Sequence, residues 1–502
     1  LSGNIRATQF TDGALVQGRL QVQPVDLQAL LSLLALDLPA TATNAFDKVE
    51  LNSEFSADLG QQTLKLSNMA LAAGELAVSG NLKARQFPDN PQLSGDIEVP
   101  EVDVRTWLKK MGATVDTADK KALQKLALKS NFTASAQQIA LSKLALTLDE
   151  TRLTGKASAR NLAKPAYRFD LRLDKIDLDR YLPAPSSASA PASTGTAAVA
   201  ARRGGASPPA AALPLDALRA LNLQGRATIT KLKAFGIRSA NAVIQLAANN
   251  GRLTIGPSKA ALYGGGYRGK TIVDVRGNTP KFTIDEKLGG VKVGPFLSDA
   301  QISDRLTGTG DLALNLTARG SAPEAITKTL TGKVVLNLQK GKIKGVDLQK
   351  MVNDVVELAE KLKGETRTLK PKPTDSTPYN LFRATVILNN GIATNNDLDL
   401  QGPFLLANEK QGGLWATGRG TADLVKQTLK YRVKAKIAED ATRKGTTIPI
   451  DVVGPFADLE YKPDYGAVVE QAVKRKVDKK LEKKKKKLKD ELKEKLRKKF
   501  KR

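Results

Sequence analysis

The sequence predicts a mostly β protein: a long, twisted, antiparallel and repetitive sheet curled into an open apolar groove, with few short helices and a basic amphipathic helix at the C-terminal end. Three observations predict it. A unit of about 75 residues recurs along the chain. Between the ends of these units, apolar and polar residues alternate with a period of two. Helices that could cover the apolar face are few.

The repeat is clearest between "LSGNIRATQFTDGALVQGRLQVQPVDLQALL" from Leu1 and "VSGNLKARQFPDNPQLSGDIEVPEVDVRTWL" from Val78. A constant offset of 77 pairs Gly3 with Gly80, Gly18 with Gly95 and Asp26 with Asp103, without a gap over 31 residues. A third copy starts at Leu153 with one deletion, and a weaker fourth at Val275. Each unit ends in a cassette of an apolar residue, usually Asp, and another apolar residue. Its copies are Val25-Asp26-Leu27, Val102-Asp103-Val104, Ile176-Asp177-Leu178 and Val346-Asp347-Leu348. Such a chain reads as an array in which each unit touches mainly its neighbours.

Alternation places Leu144, Leu146 and Leu148 on one face, as it does Leu312, Leu314 and Leu316, and Leu336 with Leu338. Turns are expected at "LNNGI" from Leu388 and "LQKGKI" from Leu338. Helices are expected only after the cassettes (Leu27 to Leu34, Val104 to Met111, Leu348 to Leu362) and in the tail. The Pro/Ala/Ser-rich stretch at 183–214 has no periodicity and reads as a linker or disordered insertion. The expected organisation is therefore β-repeats at 1–182, the insertion at 183–214, a second β region at 215–468 and the basic helix at 469–502.

A one-sided sheet without covering helices either packs against a second sheet or curls into a trough with an apolar lining. A lining of Leu, Val, Ile and Ala suits acyl chains better than sugars or bases, which call for aromatic stacking. The eight leucines named above are the candidate groove residues.

Composition narrows the chemistry. The chain has neither Cys nor His, which removes thiolate chemistry, the commonest general base and the commonest metal ligand. No enzyme activity, cofactor or metal site is expected. "GGGYRGKT", from Gly264 to Thr271, fits the phosphate-loop pattern literally. It is followed by a period-two strand where the chemistry requires a helix N-terminus, so it reads as a glycine-rich turn. Asp170, Asp174, Asp177 and Asp179 lack the glycine and bidentate Glu of a calcium loop and read as a solvated face. No apolar run reaches the roughly 20 residues that span a bilayer. The chain opens at Leu1 inside a strand-like stretch and reads as a fragment of a longer protein.

The net charge of +28 is uneven: residues 471–502 hold eighteen Lys or Arg and five Asp or Glu, a net +13, which leaves +15 for the other 470. The body is thus no nucleic-acid platform. In the tail, Leu481, Leu488, Leu492, Leu496 and Phe500 continue an apolar row from Val469, Val473 and Val477 that is spaced almost always by four, with Lys476, Lys480, Lys484, Lys487, Lys495 and Lys499 beside it. That pattern predicts a helix with a thin apolar stripe, suited to an anionic lipid surface. A solvated helix with no partner stays open. Nucleic acid ranks third, for want of stacking aromatics and a second basic face.

Four stretches in the C-terminal half carry a family resemblance: "LTGKVVLNLQKGKIKGVDLQKMV" (Leu330 to Val352), "NLFRATVILNNGIATNNDLDLQGP" (Asn380 to Pro403), "ATGRGTADLVKQTLKYRVKAKI" (Ala416 to Ile437) and "TIPIDVVGPFADLEYKPD" (Thr447 to Asp464). In their order they resemble the C-terminal region of the AsmA family of Gram-negative envelope proteins, most closely between Ala220 and Asp464. The resemblance implies a periplasmic protein held in the inner membrane by an N-terminal helix absent from this sequence. It implies a bent β-trough, like those of bridge-like lipid transfer proteins, that passes phospholipid toward the outer membrane in outer-membrane biogenesis. It implies no catalytic residues. The alternative is a structural or assembly factor, acting on outer-membrane protein assembly through envelope protein partners, whose sheet packs shut.

Overall fold

A computed structural model of the protein describes residues 2–8, 13–25, 49–74, 76–87, 89–110, 112–183, 215–359, 372–403, 413–437 and 447–499. The first cassette's Asp26, the expected helix after it, the insertion from 184 to 214 and Phe500 lie outside the described residues. The strands form one sheet of 23, and no pairing among the described residues closes it on itself. The chain divides into two compact units, Leu1–Leu262 with Tyr267–Pro280 and Tyr263–Gly266 with Lys281–Arg502.

The first unit begins with β1 (Ser2–Thr8), β2 (Leu15–Val25), β3 (Val49–Asp58), β4 (Thr63–Ala73), β5 (Leu76–Arg85) and β6 (Gln92–Val102). Helix α1 (Val104–Lys110) precedes β7 (Leu126–Ser135), β8 (Gln138–Leu148), β9 (Thr151–Arg160) and β10 (Ala166–Asp177). From β1 to β10 each strand pairs antiparallel with the next. After α2 (Leu215–Ala220), β11 (Asn222–Ala234), β12 (Ile237–Asn249), β13 (Arg252–Leu262) and β14 (Gly265–Asp274) continue the sheet.

One pair corrects the antiparallel expectation: β10 and β11 run parallel, with Ala166 opposite Asn222 and Asp177 opposite Lys233. Parallel neighbours need a crossover of a dozen residues or more. The chain between Asp177 and Asn222, which contains the Pro/Ala/Ser-rich stretch, supplies it.

The 77-residue repeat has a structural counterpart in β-bulges. The β3–β4 and β7–β8 pairs both slip register, at Asn52/Glu54 and at Lys129/Asn131. At each slip a buried serine replaces lost ladder bonds. Ser53 Oγ donates to Glu54 O and Ser67 O, and Ser130 Oγ donates to Asn131 O and Ser142 O, all at 3.0–3.1 Å. Burial of a hydroxyl is tolerated there because the bulge leaves carbonyls to satisfy.

The cassettes are strand ends running into capped turns. Asp103 accepts from Thr106 N (3.0 Å) at the start of α1, and Asp177 from Asp179 N (3.1 Å) at a single 3-10 turn. A short acidic side chain facing the free N–H groups of a first turn explains the recurring Asp.

The second unit holds β15 (Lys281–Lys292), α3 (Val293–Asp299), β16 (Thr309–Arg319), α4 (Pro323–Thr329) and β17 (Thr331–Lys344). Then come α5 (Leu348–Ala359), β18 (Ser376–Asn389), β19 (Ile392–Gln401), β20 (Leu414–Asp423), β21 (Thr428–Ile437), β22 (Thr447–Pro455), β23 (Glu460–Pro463) and α6 (Tyr465–Lys499). Asn390 and Gly391, both with positive φ, make the expected two-residue hairpin turn between β18 and β19. "LQKGKI" is no turn: β17 runs through it, and Lys340 at φ 49° marks an irregularity within the strand. The tail helix begins at Tyr465, four residues earlier than expected, because Asp464 caps it through Ala467 N (3.0 Å).

Candidate functional site

Following the register across the first unit gives one continuous row of apolar residues and glycines. It runs Ile5, Gly18, Phe55, Leu66, Leu82, Gly95, Phe132, Leu141, Ala157, Phe169, Gly225, Leu246, Ile255, one from each strand from β1 to β13. None of the thirteen is buried, and Ile5 is 71% exposed. Beside it runs a second row, Val99, Leu128, Leu146, Leu153, Leu173, Ile229 and Ala242, from β6 to β12.

Each phenylalanine of the first row is paired with a glycine for a steric reason. Gly18 lies opposite Phe55, Gly95 opposite Phe132 and Gly225 opposite Phe169. A Cβ on Gly95 would stand 3.0 Å from Phe132 Cε1 and 1.9 Å from Asn81 O. The ring therefore covers backbone that no larger residue could occupy. The sequence reading missed these rings. The offset of 77 that pairs Gly18 with Gly95 also pairs Phe55 with Phe132, and that signal would have found them.

The second unit has a comparable row: Leu338, Phe382, Leu400, Ala416, Ala435 and Ile448, from β17 to β22. Here five of the six are buried, Phe382 being the exception. Helix α5 contacts β18, β21 and α6, and α6 contacts β22. Met351, Val352 and Val355 of α5, and Tyr465 and Val468 of α6, are buried. Two devices hold α5 in place. Asp347 accepts from Lys350 N (2.9 Å), while the buried Thr377 hydroxyl on β18 donates to Val346 O (2.8 Å) and accepts from Leu348 N (3.0 Å).

The eight candidate leucines fall into both settings. Leu146, Leu148, Leu312, Leu314 and Leu336 are half-buried; Leu144, Leu316 and Leu338 are buried. Leu312 lies between Leu288 and Leu336, and Leu314 between Glu286 and Val334, so an acid interrupts this face on β15.

The opposite face of the sheet is charged and cross-linked, for example by Lys129–Glu98 (2.6 Å) and a two-pronged Arg432–Asp451 pair (both 2.6 Å). One polar cluster in the first unit is denser. Asp149 accepts from the backbone N–H groups of Leu123, Gln124 and Lys125 and from the Tyr181 hydroxyl, at 2.9–3.2 Å. Burial works against the charged carboxylate, but these donors outweigh it and hold Asp149 below the usual range. Burial and the Asp149 carboxylate together push Tyr181 up to about 12. Arg180 bridges Asp119 (2.8 Å) and Glu150.

The other motifs have structural roles. Lys270 and Thr271 lie within strand β14, and Tyr263 and Gly264 before it have positive φ, so no helix N-terminus faces a phosphate. Asp174 accepts from Arg152 N, and Asp179 from Phe235 N and Gly236 N. Among the described residues no group of acids is arranged to hold a metal ion.

In α6, Val473, Val477, Leu481, Leu488 and Leu492 are all at least half exposed, and Lys480, Lys484 and Lys487 are exposed beside them. Lys476, Lys495, Leu496 and Lys499 belong to the helix. No described helix is long and apolar enough to cross a membrane.

The model of the AsmA family matches residues 4–398. The chain belongs to the AsmA family. The match takes in the N-terminal repeats from β1 onward, further toward the N-terminus than the motifs that first suggested the family; Ala416 to Ile437 and Thr447 to Asp464 lie beyond it. The chain is also similar to Protein AsmA of Escherichia coli (strain K12), 20% identical over 406 residues. That alignment takes in 77% of this chain and 63% of the relative, so the chain spans less than two thirds of that AsmA protein's length. No solved structure matches.

Proposed function

We propose that this protein is a non-enzymatic carrier of phospholipid in the bacterial envelope. Acyl chains lie along the apolar face while headgroups stay in water. The observation that carries the reading is the row from Ile5 to Ile255, apolar on every strand and buried on none. Each methylene that such a surface takes from water contributes about 0.8 kcal/mol, so binding needs no specific pocket and transfer needs no chemistry. The AsmA family likeness supports a periplasmic setting between inner and outer membrane.

A second reading, a packed structural or assembly factor, is favoured by the sealed row under α5. Photo-crosslinking separates the two. A benzophenone amino acid at Phe132 on the apolar face should give phospholipid adducts in cells, and one at Asn131 on the charged face should not. Phe132→Asp with Leu146→Asp should strip co-purifying phospholipid at unchanged circular dichroism. Adducts at neither site, with no lipid in native mass spectra, would favour the packed factor.

A further inference from the structure

The basic helix α6 presents two distinct sides. Its first turns bury Tyr465 and Val468, and Gln471 bonds Thr447 through both N (3.1 Å) and O (2.8 Å). Beyond them Val473, Val477, Leu481, Leu488 and Leu492 are 50–63% exposed. At about 100° per residue these five fall within a sector of roughly 100°, and Tyr465 and Val468 lie on nearly the opposite side of the helix. The exposed stripe is therefore not a continuation of the packing face that seats the helix, and it points away from the surface α6 is packed on. Lys480 and Lys487 flank the stripe on one side and Lys485 on the other, and Lys484 sits within its sector, while Glu482 and Asp490 fall on the back and Glu491 at its edge.

We propose that this stripe docks on the surface of an anionic phospholipid bilayer. The valines and leucines enter the headgroup boundary, and the lysines beside them meet lipid phosphates. Charge complementarity decides the occupant. A second copy of the helix would oppose two lysine-rich surfaces, and a stripe that advances mostly by four residues drifts out of a coiled-coil seam. The inference is independent of the apolar face of the sheet, since it uses only residues of α6 and the contacts that seat it.

Vesicle flotation of the full chain tests it. With vesicles containing phosphatidylglycerol the protein should float, and it should lose most of that binding in high salt. Leu481→Asp with Leu488→Asp, or Lys480→Gln with Lys484→Gln and Lys487→Gln, should weaken binding ~10-fold or more. Phe132→Asp, which disables the sheet face, should leave flotation unchanged; a loss there would assign vesicle binding to the sheet and overturn the proposal. Equal binding to neutral phosphatidylcholine vesicles would also overturn it. So would a stripe-dependent dimer in light scattering, or tighter binding to duplex DNA than to anionic vesicles.

Discussion

The row across β1–β13 and the row across β17–β22 are built alike, from residues that alternate with polar neighbours and face one side of a sheet. The first stays half-exposed and the second is buried. The difference lies in what covers them. Helix α1 has seven residues and buries none, so it shields nothing. Helix α5 has twelve and brings Met351, Val352 and Val355 down together. A sheet face is thus sealed by the helix that follows its cassette, and a cassette that launches a short helix leaves the face open. Under the proposed function the consequence is direct: an unsealed row can hold ligand, and a sealed one supplies stability.

The largest effect should come from charging the sealed row. Val355 is fully buried, and Val355→Asp should cost at least about 4 kcal/mol because an unpaired charge is forced into an apolar contact. Leu146→Asp, on the half-exposed row, should cost about 1 kcal/mol. The two tryptophans make this measurable, since Trp107 lies in the first unit and Trp415 in the second. With one of them replaced by Phe, denaturant titration follows each unit separately. Equal losses in the two variants would break the comparison.

Much of this was legible in the sequence. The period of two gave the strands, the Asp of the cassettes gave the capped turns, and Asn390-Gly391 gave its hairpin, because each depends on local backbone chemistry. The parallel β10–β11 pair was not legible. It depends on how a long connection returns, and composition does not encode that. Nor was the burial of Leu338 legible: Leu338 and Leu146 have the same alternating neighbours, and only tertiary packing distinguishes them. The Phe–Gly pairs lay between these cases, visible as an offset of 77 but interpretable only once register was known.

Among the described residues no helix seals the row from β1 to β13, so the first unit relies on polar ties at its strand ends, and that should make it sensitive to acid. Asp149→Ala leaves three backbone donors and a phenol without their acceptor, an expected loss of about 1–3 kcal/mol. Because the folded-state pKa of Asp149 is below its ordinary 3.8, its contribution is complete above that value and vanishes as pH falls through the folded one. Tyr181 behaves in the opposite sense. With its pKa pushed up from 10.0 to about 12, its contribution is complete below pH 10 and lost as pH rises through 12. Asp149→Asn should therefore flatten the acid limb of the Trp107 transition and leave that of Trp415 unchanged. A shift in both would mean that the tie is not local to the first unit.

The smallest effect concerns the caps, and it isolates the lid. Asp103 and Asp347 make the same bond to the N–H three residues on, at 3.0 and 2.9 Å. Each should be worth about 1 kcal/mol by the usual N-cap measure. The consequences should differ because one helix buries nothing and the other seals a row. Asp103→Ala should raise amide exchange only within α1. Asp347→Ala should raise it in α5 and also on β18 and β21, the two strands that α5 packs on, where buried residues such as Tyr379 and Ala435 are released whenever the helix lifts. The buried Thr377 hydroxyl still holds Val346 O and Leu348 N in that variant, so the lid should loosen without leaving. Exchange that rises in α5 alone would show that the sheet residues bury one another without its help, and the difference between the two rows would need another cause.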